Sequence, residues 1–329
     1  MPDYDAPPSP GVFRSYLQLL RAPNIPTAMA DVTMGFLLVS PSLLPGAWTV
    51  SGELTRAGWW MLGLLLASSG LLYAAGVVLN DLMDLERDRQ ERPDRPLPSG
   101  RVSLRAARWL GGEMLLVGTA LPCAMAWKLW QLRPDIVSLR PAGVAVGLAL
   151  AILLYDGLLK RTLLGPLAMG GCRMLNVLLG MSVAAGRLEG QHWLVAGAIG
   201  LYVAGVTWFA REEVLRSDRR RLAAATVVMA AGVGLLAFLP QLRPEILVFP
   251  SGWYFLVAAL DAIIVMRCLT AVVEPSPGRV RVAVGQAILS LVFLDVAVTL
   301  AARGLWAGAL LFLFLLVPAV VLRLWIDAT

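Results

Sequence analysis

The chain is expected to fold as an all-α, polytopic bundle inside a membrane, and three observations carry that expectation. Of its 329 residues, 58% are hydrophobic and only 15% are charged, a balance far too apolar for a water-soluble domain of this length. Apolar stretches of about twenty residues recur along the whole chain, the length a helix needs to cross a hydrocarbon core of about 30 Å. The charged residues, finally, are gathered into short islands between those stretches. A bilayer offers no water to backbone amides, so each stretch must satisfy its own hydrogen bonds as a helix.

In order, the apolar windows run over roughly 24–44, 57–81, 104–127, 141–155, 164–185, 192–211, 222–240, 252–273, 283–302 and 305–325. Nine to ten transmembrane helices follow from them. Residues 1–22 are expected to be a cytoplasmic N-terminal segment, since Arg14 and Arg21 precede the first window, and residues 23–329 a single transmembrane domain. The opening "MPDYDAPPSP" has no basic start followed by an apolar core and a small-residue cleavage site, so no cleaved signal peptide is expected. With the N-terminus inside, alternation places Arg87, Arg89, Arg92, Arg95, Arg101, Arg105, Lys160, Arg161, Arg216, Arg219, Arg220, Arg221, Arg279 and Arg281 in the cytoplasm and leaves fewer basic residues outside. That bias matches the positive-inside pattern and accounts for the net charge of +6 without a nucleic-acid partner. The expected location is therefore the cell inner (plasma) membrane, multi-pass. Cys123, Cys172 and Cys268 each stand alone in apolar windows and are read as small core residues.

Three polar islands, "NDLMDLERD" from Asn80, "YDGLLKRT" from Tyr155 and "REEVLRSDRRR" from Arg211, end even-numbered windows and so emerge at the same membrane face. They can converge on one site. The first and third are separated by roughly 130 residues, as two related halves each ending in an acidic cluster would be. On a helix turning about 100° per residue, Asp81, Asp84 and Asp88 fall within an arc of about 60°, with Asn80 beside Asp81. Like charges this close at the edge of low dielectric repel unless a cation binds among them. Mg2+ is the economical candidate, a hard ion that takes oxygen ligands and bridges carboxylates to phosphates. Asn80, Asp81, Asp84 and Asp88 are its expected ligands, and Arg87, Arg89, Arg92 and Arg95 offer guanidinium groups to phosphate oxygens.

"NDLMDLERD" resembles the NDxxDxxxD signature of the UbiA superfamily of intramembrane prenyltransferases, and "RPDRPLPSG" resembles the stretch that follows it there. "RAPN" at Arg21–Asn24, "YDGLLKR" at Tyr155–Arg161 and "CRMLNVLLG" from Cys172 are similar to further family segments, so the resemblance covers residues 21 to about 221. It implies a UbiA-type fold with a central cavity, Mg2+ holding an isoprenyl diphosphate at the cavity's cytoplasmic end, and transfer of the isoprenyl group to an acceptor within the membrane. Asp81, Asp84 and Asp88 are then catalytic as well as metal-binding. Tyr155, Lys160, Arg161 and Arg95 would bind the diphosphate, and Asn24, Arg173 and Asn176 would line the cavity. Arg173 and Asn176 are costly in lipid unless they face such a cavity or a partner.

The third island departs from the family's aspartate-rich second motif: it offers Glu212, Glu213 and Asp218, expected to act catalytically, with Asp218 also a candidate metal ligand. Glu213 and Asp218 share a site only if the helix ends between them. Asp31, Asp261 and Asp295, also inside windows, are expected to make interhelical hydrogen bonds. Aromatic rings such as Trp208, Phe209 or Tyr73 could stabilise an allylic cation. The atypical second motif and the tenth window most resemble a UbiA-like subgroup of bacterial ebo-type gene clusters, which implies a hydroxylated acceptor. Alternatives of other kinds stay open: a UbiA-type terpene cyclase, a non-catalytic isoprenyl-diphosphate binder, and a phospho-alcohol transferase, whose DGxxAR signature the first island lacks.

Overall fold

The computed structural model describes residues 11–39, 52–132, 139–184, 186–211, 218–243, 247, 250–318 and 320–321. Among them every regular element is helical. The order is α1 (Val12–Leu19), α2 (Ile25–Val39), α3 (Gly52–Met83), α4 (Leu85–Glu91), α5 (Leu104–Leu132), α6 (Arg140–Leu154), α7 (Gly165–Met181), α8 (Gly190–Arg211), α9 (Arg219–Leu235), α10 (Leu239–Leu242), α11 (Pro250–Val273), α12 (Pro277–Arg303) and α13 (Leu305–Leu311). Seven described helices are long and apolar enough to span a membrane: Gly58–Met83, Leu104–Gln131, Arg140–Leu159, Gly190–Arg211, Arg219–Leu242, Gly252–Val273 and Pro277–Arg303. The windows at 24–44, 164–185 and 305–325 appear as the shorter helices α2, α7 and α13. The chain is an integral membrane protein, with large apolar side chains such as Leu116, Val227 and Phe255 facing outward, where only lipid suits them.

Lys160 after α6 reaches Asp84 at the end of α3, and Arg211 ending α8 reaches the Lys160 carbonyl, so α3, α6 and α8 all end at the face that carries the polar islands. At the opposite face sit Trp59 and Trp60 near the start of α3, Trp127 and Trp130 near the end of α5, Trp193 at the start of α8 and Tyr254 at the start of α11, all exposed. Such a belt fits rings whose bodies are apolar and whose edges seek water.

Small residues set the closest crossings. Gly35 of α2 lies against α7 so tightly that an added Cβ would stand 2.5 Å from the Val177 carbonyl oxygen, and Gly180 of α7 is pressed as closely onto Val32. Backbones can approach like this only where side chains are absent. The bundle also repairs the hydrogen bonds its prolines break. Pro122 inside α5 has no N–H for the Gly118 carbonyl, and the Ser68 hydroxyl of α3 donates to that carbonyl at 2.6 Å. Pro240 likewise has no N–H for the Leu236 carbonyl, which accepts instead from the Leu239 amide in a 3₁₀ turn and from the buried Trp253 indole of α11 at 2.8 Å. Both repairs tie neighbouring helices at depths where water is absent.

Ser68→Ala should therefore orphan a buried carbonyl and destabilise the bundle by about 1–3 kcal/mol. Thermal unfolding in detergent checks this, with Thr270→Ala, an exposed position, as the reference.

Candidate active site

The site is built where α3 ends. Helix α3 runs through Asn80 and Asp81 to Met83, and Asp84 takes φ −96°, ψ 7°, which bends the chain before α4 begins at Leu85. The single continuous helix implied by the 60° arc is thus two helices joined at Asp84, although the Asp84 and Asp88 amides still donate four residues back. The acids stay together because basic side chains from three other segments reach them. Arg95 lays its guanidinium 2.6 Å from Asp88 and 3.4 Å from Asp81. Arg21 approaches Asp81 at 3.0 Å. Lys160 bonds Asp84 at 2.8 Å and the Asn80 amide oxygen at 3.0 Å, and Arg161 bonds Asp84 at 3.1 Å. Asp81 and Asp88 are each only 5% exposed, so these are bridges at the edge of the protein interior. Burial pushes the Asp84 carboxyl up, but the Lys160 and Arg161 bonds and charges outweigh it and hold it below the usual carboxylate range. Arg87 and Arg89, by contrast, pair with Glu91 and Glu86 on the exposed face of α4, where such pairs contribute little.

Local backbone breaks put the basic residues in place. Arg21 holds a left-handed conformation, φ 45°, just before the 3₁₀ turn Ala22–Asn24 that Pro23 starts, and this corner turns its side chain toward Asp81. Such a conformation costs about 1 kcal/mol or more for a residue with a side chain and persists where contacts hold it. After α6 the chain widens into a π-helical turn, Tyr155–Leu159, which delivers Lys160 and Arg161 to Asp84. Single π turns inside helices often mark functional positions.

Beside the island opens a cavity of about 320 Å³. Arg21, Asn80, Tyr155 and Asp156 line its polar end, Leu72, Leu148, Ile152, Val203, Ile288 and Leu291 its apolar wall. A second polar group lines it further along α3 and α7: Thr27, Ser69, Arg173 and Asn176. Arg173 meets the fully buried Asp31 at 2.6 Å and donates to the Thr27 carbonyl at 2.7 Å. Asn176 donates to Asp31 at 3.0 Å and to the Ala28 carbonyl at 2.8 Å and accepts from Ser69 at 2.8 Å. Asp31 therefore makes the interhelical bonds expected of it, and Asp295 of α12 packs its carboxyl against it.

Of the expected site residues, Asn80, Asp81, Asp84, Asp88, Arg95, Lys160 and Arg161 come together in one cluster, and Tyr155, Arg173 and Asn176 line the cavity. Asn24 stands next to that lining, its carbonyl accepting the Thr27 hydroxyl at 2.7 Å. Asp218 caps α9, accepting the Arg220 amide at 2.9 Å. Glu212 and Glu213 lie outside the described residues. Tyr73 lines the cavity, whereas Phe209 is buried in the core and Trp208 packs against it. Asp156 enters the site without any spacing rule to point to it, its one signal being a carboxylate directly after Tyr155 at the end of an apolar window.

Asn80, Asp81, Asp84 and Asp88 present oxygen donors, and three are carboxylates, so their chemistry fits a hard divalent cation. Among the described residues no three acids converge closely enough to hold a metal ion as they stand. The Arg95 guanidinium, which bridges Asp81 and Asp88, has to leave for these carboxylates to share one.

A model of the UbiA prenyltransferase family matches residues 38–274. Digeranylgeranylglyceryl phosphate synthase of Saccharolobus solfataricus is 34% identical over 110 residues, 33% of this chain and 34% of that protein, so the match spans about a third of that curated relative. The synthase of the same name from Methanoculleus marisnigri is 25% identical over 293 residues, covering 81% of this chain and 90% of that protein. A solved UbiA homologue from Archaeoglobus fulgidus, bound to GPP and Mg2+, shares the fold with a TM-score of 0.55 at 14% identity, over 85% of this chain and 99% of that one.

Arg173→Met should leave Asp31 as an uncompensated buried charge and cost about 3–5 kcal/mol, of which Asp31→Asn in the same chain should restore a part. Thermal unfolding of the two single variants and the double variant measures the coupling. Because Asp84 is held below its unfolded-state value, the stability it contributes is present above the usual carboxylate range and is lost as pH falls through its depressed value. The acid-induced drop in melting temperature should accordingly be smaller in Asp84→Asn than in the parent chain.

Proposed function

The chain belongs to the UbiA prenyltransferase family, and from that premise we propose that it transfers an isoprenyl group from an isoprenyl diphosphate to an acceptor within the membrane. One observation carries the reading: four basic side chains, Arg21, Arg95, Lys160 and Arg161, are gathered on an acid island beside one end of a cavity whose wall beyond is largely apolar. A diphosphate with a hydrocarbon tail has the same polarity, charged at one end and apolar along its length.

The chain's own groups divide the work. Lys160 and Arg161 reach Asp84 from a turn at the polar end of the cavity, and by turning from carboxylate to phosphate they bind the diphosphate and take up its charge as it leaves. Arg21, already lining the cavity, adds a third donor to the same end. With Mg2+ bound, Asn80, Asp81, Asp84 and Asp88 would be its ligands, and the ion would supply charge neutralisation at the diphosphate oxygens. The apolar wall from Leu72 to Leu291 orients the isoprenyl chain and excludes water, which protects an allylic cation. Tyr73 and Tyr155 line the cavity, which supports them as the rings that stabilise that cation. The acceptor's proton passes to an acid at the same end, and Glu212, Glu213 and Asp218 of the third island are the candidates the sequence supplies.

The basic residues concentrated at the island's face support a cytoplasmic orientation and the plasma membrane as the location. The relatives named digeranylgeranylglyceryl phosphate synthase support a large isoprenyl donor; the acceptor class proposed is a hydroxylated molecule.

Release of diphosphate from geranylgeranyl diphosphate by the purified chain in detergent, with Mg2+ and a membrane extract as acceptor source, tests the proposal. Turnover should disappear on chelation and fall by about 10²–10³ in Asp84→Ala. Product masses distinguish transfer from cyclisation, and tight Mg2+-dependent binding without diphosphate release would favour a carrier.

A further inference from the structure

The turn that carries Lys160 is held from outside its own helix. Where the π-helical turn ends, the Lys160 carbonyl has no intrahelical donor, as is general for the last carbonyls of a helix. The Arg211 guanidinium, from the last residue of α8, donates to the Lys160 carbonyl at 2.5 Å and to the Thr162 carbonyl at 2.8 Å. A cation at a helix C-terminus is favoured by the helix dipole, and both bonds leave one terminal nitrogen, Nη2, whose two N–H groups are fixed in the guanidinium plane where those of an ammonium rotate freely.

A second observation concerns the route by which Arg211 arrives. Gly165, the first residue of α7, has no Cβ, and an added one would overlap the Arg211 guanidinium and stand 2.8 Å and 2.9 Å from the Lys160 and Leu159 carbonyls. The guanidinium could swing aside, but the two carbonyls belong to the turn itself. Gly165 is thus the gap through which α8 reaches the turn between α6 and α7.

We propose that Arg211, passing through the gap at Gly165, is a positioning residue for diphosphate binding: it fixes the turn from which Lys160 reaches Asn80 and Asp84. This role rests on the functional reading above. Among the described residues the hydrogen bonds of the Arg211 side chain go to backbone oxygens of the turn, and it acts through Lys160, whose Nζ it helps hold 2.8 Å from Asp84 and 3.0 Å from Asn80. Released from that hold, Lys160 samples positions in which its charge no longer faces the diphosphate.

The experiment is isothermal titration of the full chain in detergent with geranylgeranyl diphosphate in the presence of Mg2+, run for the parent, Arg211→Ala, Gly165→Ala, Lys160→Ala and the Lys160→Ala/Arg211→Ala pair. Arg211→Ala and Gly165→Ala should each weaken binding by about 10–100-fold, as loss of an orienting outer contact commonly does. In the Lys160→Ala background, Arg211→Ala should add little, because the group it positions is gone. Arg211→Lys, which keeps the charge without the fixed plane, should bind with intermediate affinity, and it carries the test should Arg211→Ala fail to fold. Parent-like affinity in the Arg211 variants, or an equal weakening with and without Lys160, overturns the positioning role while leaving the functional reading intact. No Mg2+-dependent binding by the parent chain overturns that reading and this role together.

Discussion

Charge balance at the end of α3 is the constraint on which the rest of the structure depends. Asn80, Asp81, Asp84 and Asp88 crowd the edge of a low-dielectric interior, where uncompensated carboxylates would repel one another strongly. The fold answers by bringing cations from three places: a left-handed corner before α2, the loop after α4, and the turn after α6. None of those segments is regular helix, and each break in regularity delivers a guanidinium or an ammonium to the same acids. The cluster is consequently a store of matched charge, and the proposed function has a divalent cation and a diphosphate replace the internal pairs with external ones.

A second polar centre governs the interior of the cavity. Asp31, Arg173, Asn176 and Ser69 join α2, α7 and α3 by a connected set of buried hydrogen bonds and an ion pair. The close crossing of α2 and α7 at Gly35 and Gly180 brings these backbones together and lets Arg173 reach the Thr27 carbonyl. The same logic of satisfying a buried carbonyl appears at Pro122, where Ser68 supplies the donor that the proline ring removed.

Composition and spacing made much of this legible. Apolar windows of spanning length announced the helices, because a bilayer permits few other forms. The spacing of Asp81, Asp84 and Asp88 announced the acid island, and alternation of sides announced that Tyr155–Arg161 would meet it. Other features are tertiary facts without a local signature. Nothing near Arg21 in the chain says that its side chain will cross to Asp81, sixty positions away. Arg211 reads as one more basic residue at a helix end, and only the missing Cβ of Gly165 reveals where it goes. The bend at Asp84 escaped the helical arc because a periodic pattern assumes the helix continues, and Asp81 and Asp88 stay together by virtue of Arg95 as much as by their spacing.

The central claim is an exchange of partners: basic side chains now on Asp81, Asp84 and Asp88 move to phosphate oxygens as those acids take up a metal. A structure determined with Mg2+ and a non-reacting isoprenyl thiodiphosphate measures this most directly. The account predicts the ion among the oxygens of Asn80, Asp81, Asp84 and Asp88, the thiodiphosphate against Lys160, Arg161 and Arg21, and the tail along the apolar wall. Intact carboxylate pairs at Lys160 and Arg95, with the ligand bound elsewhere, would contradict it.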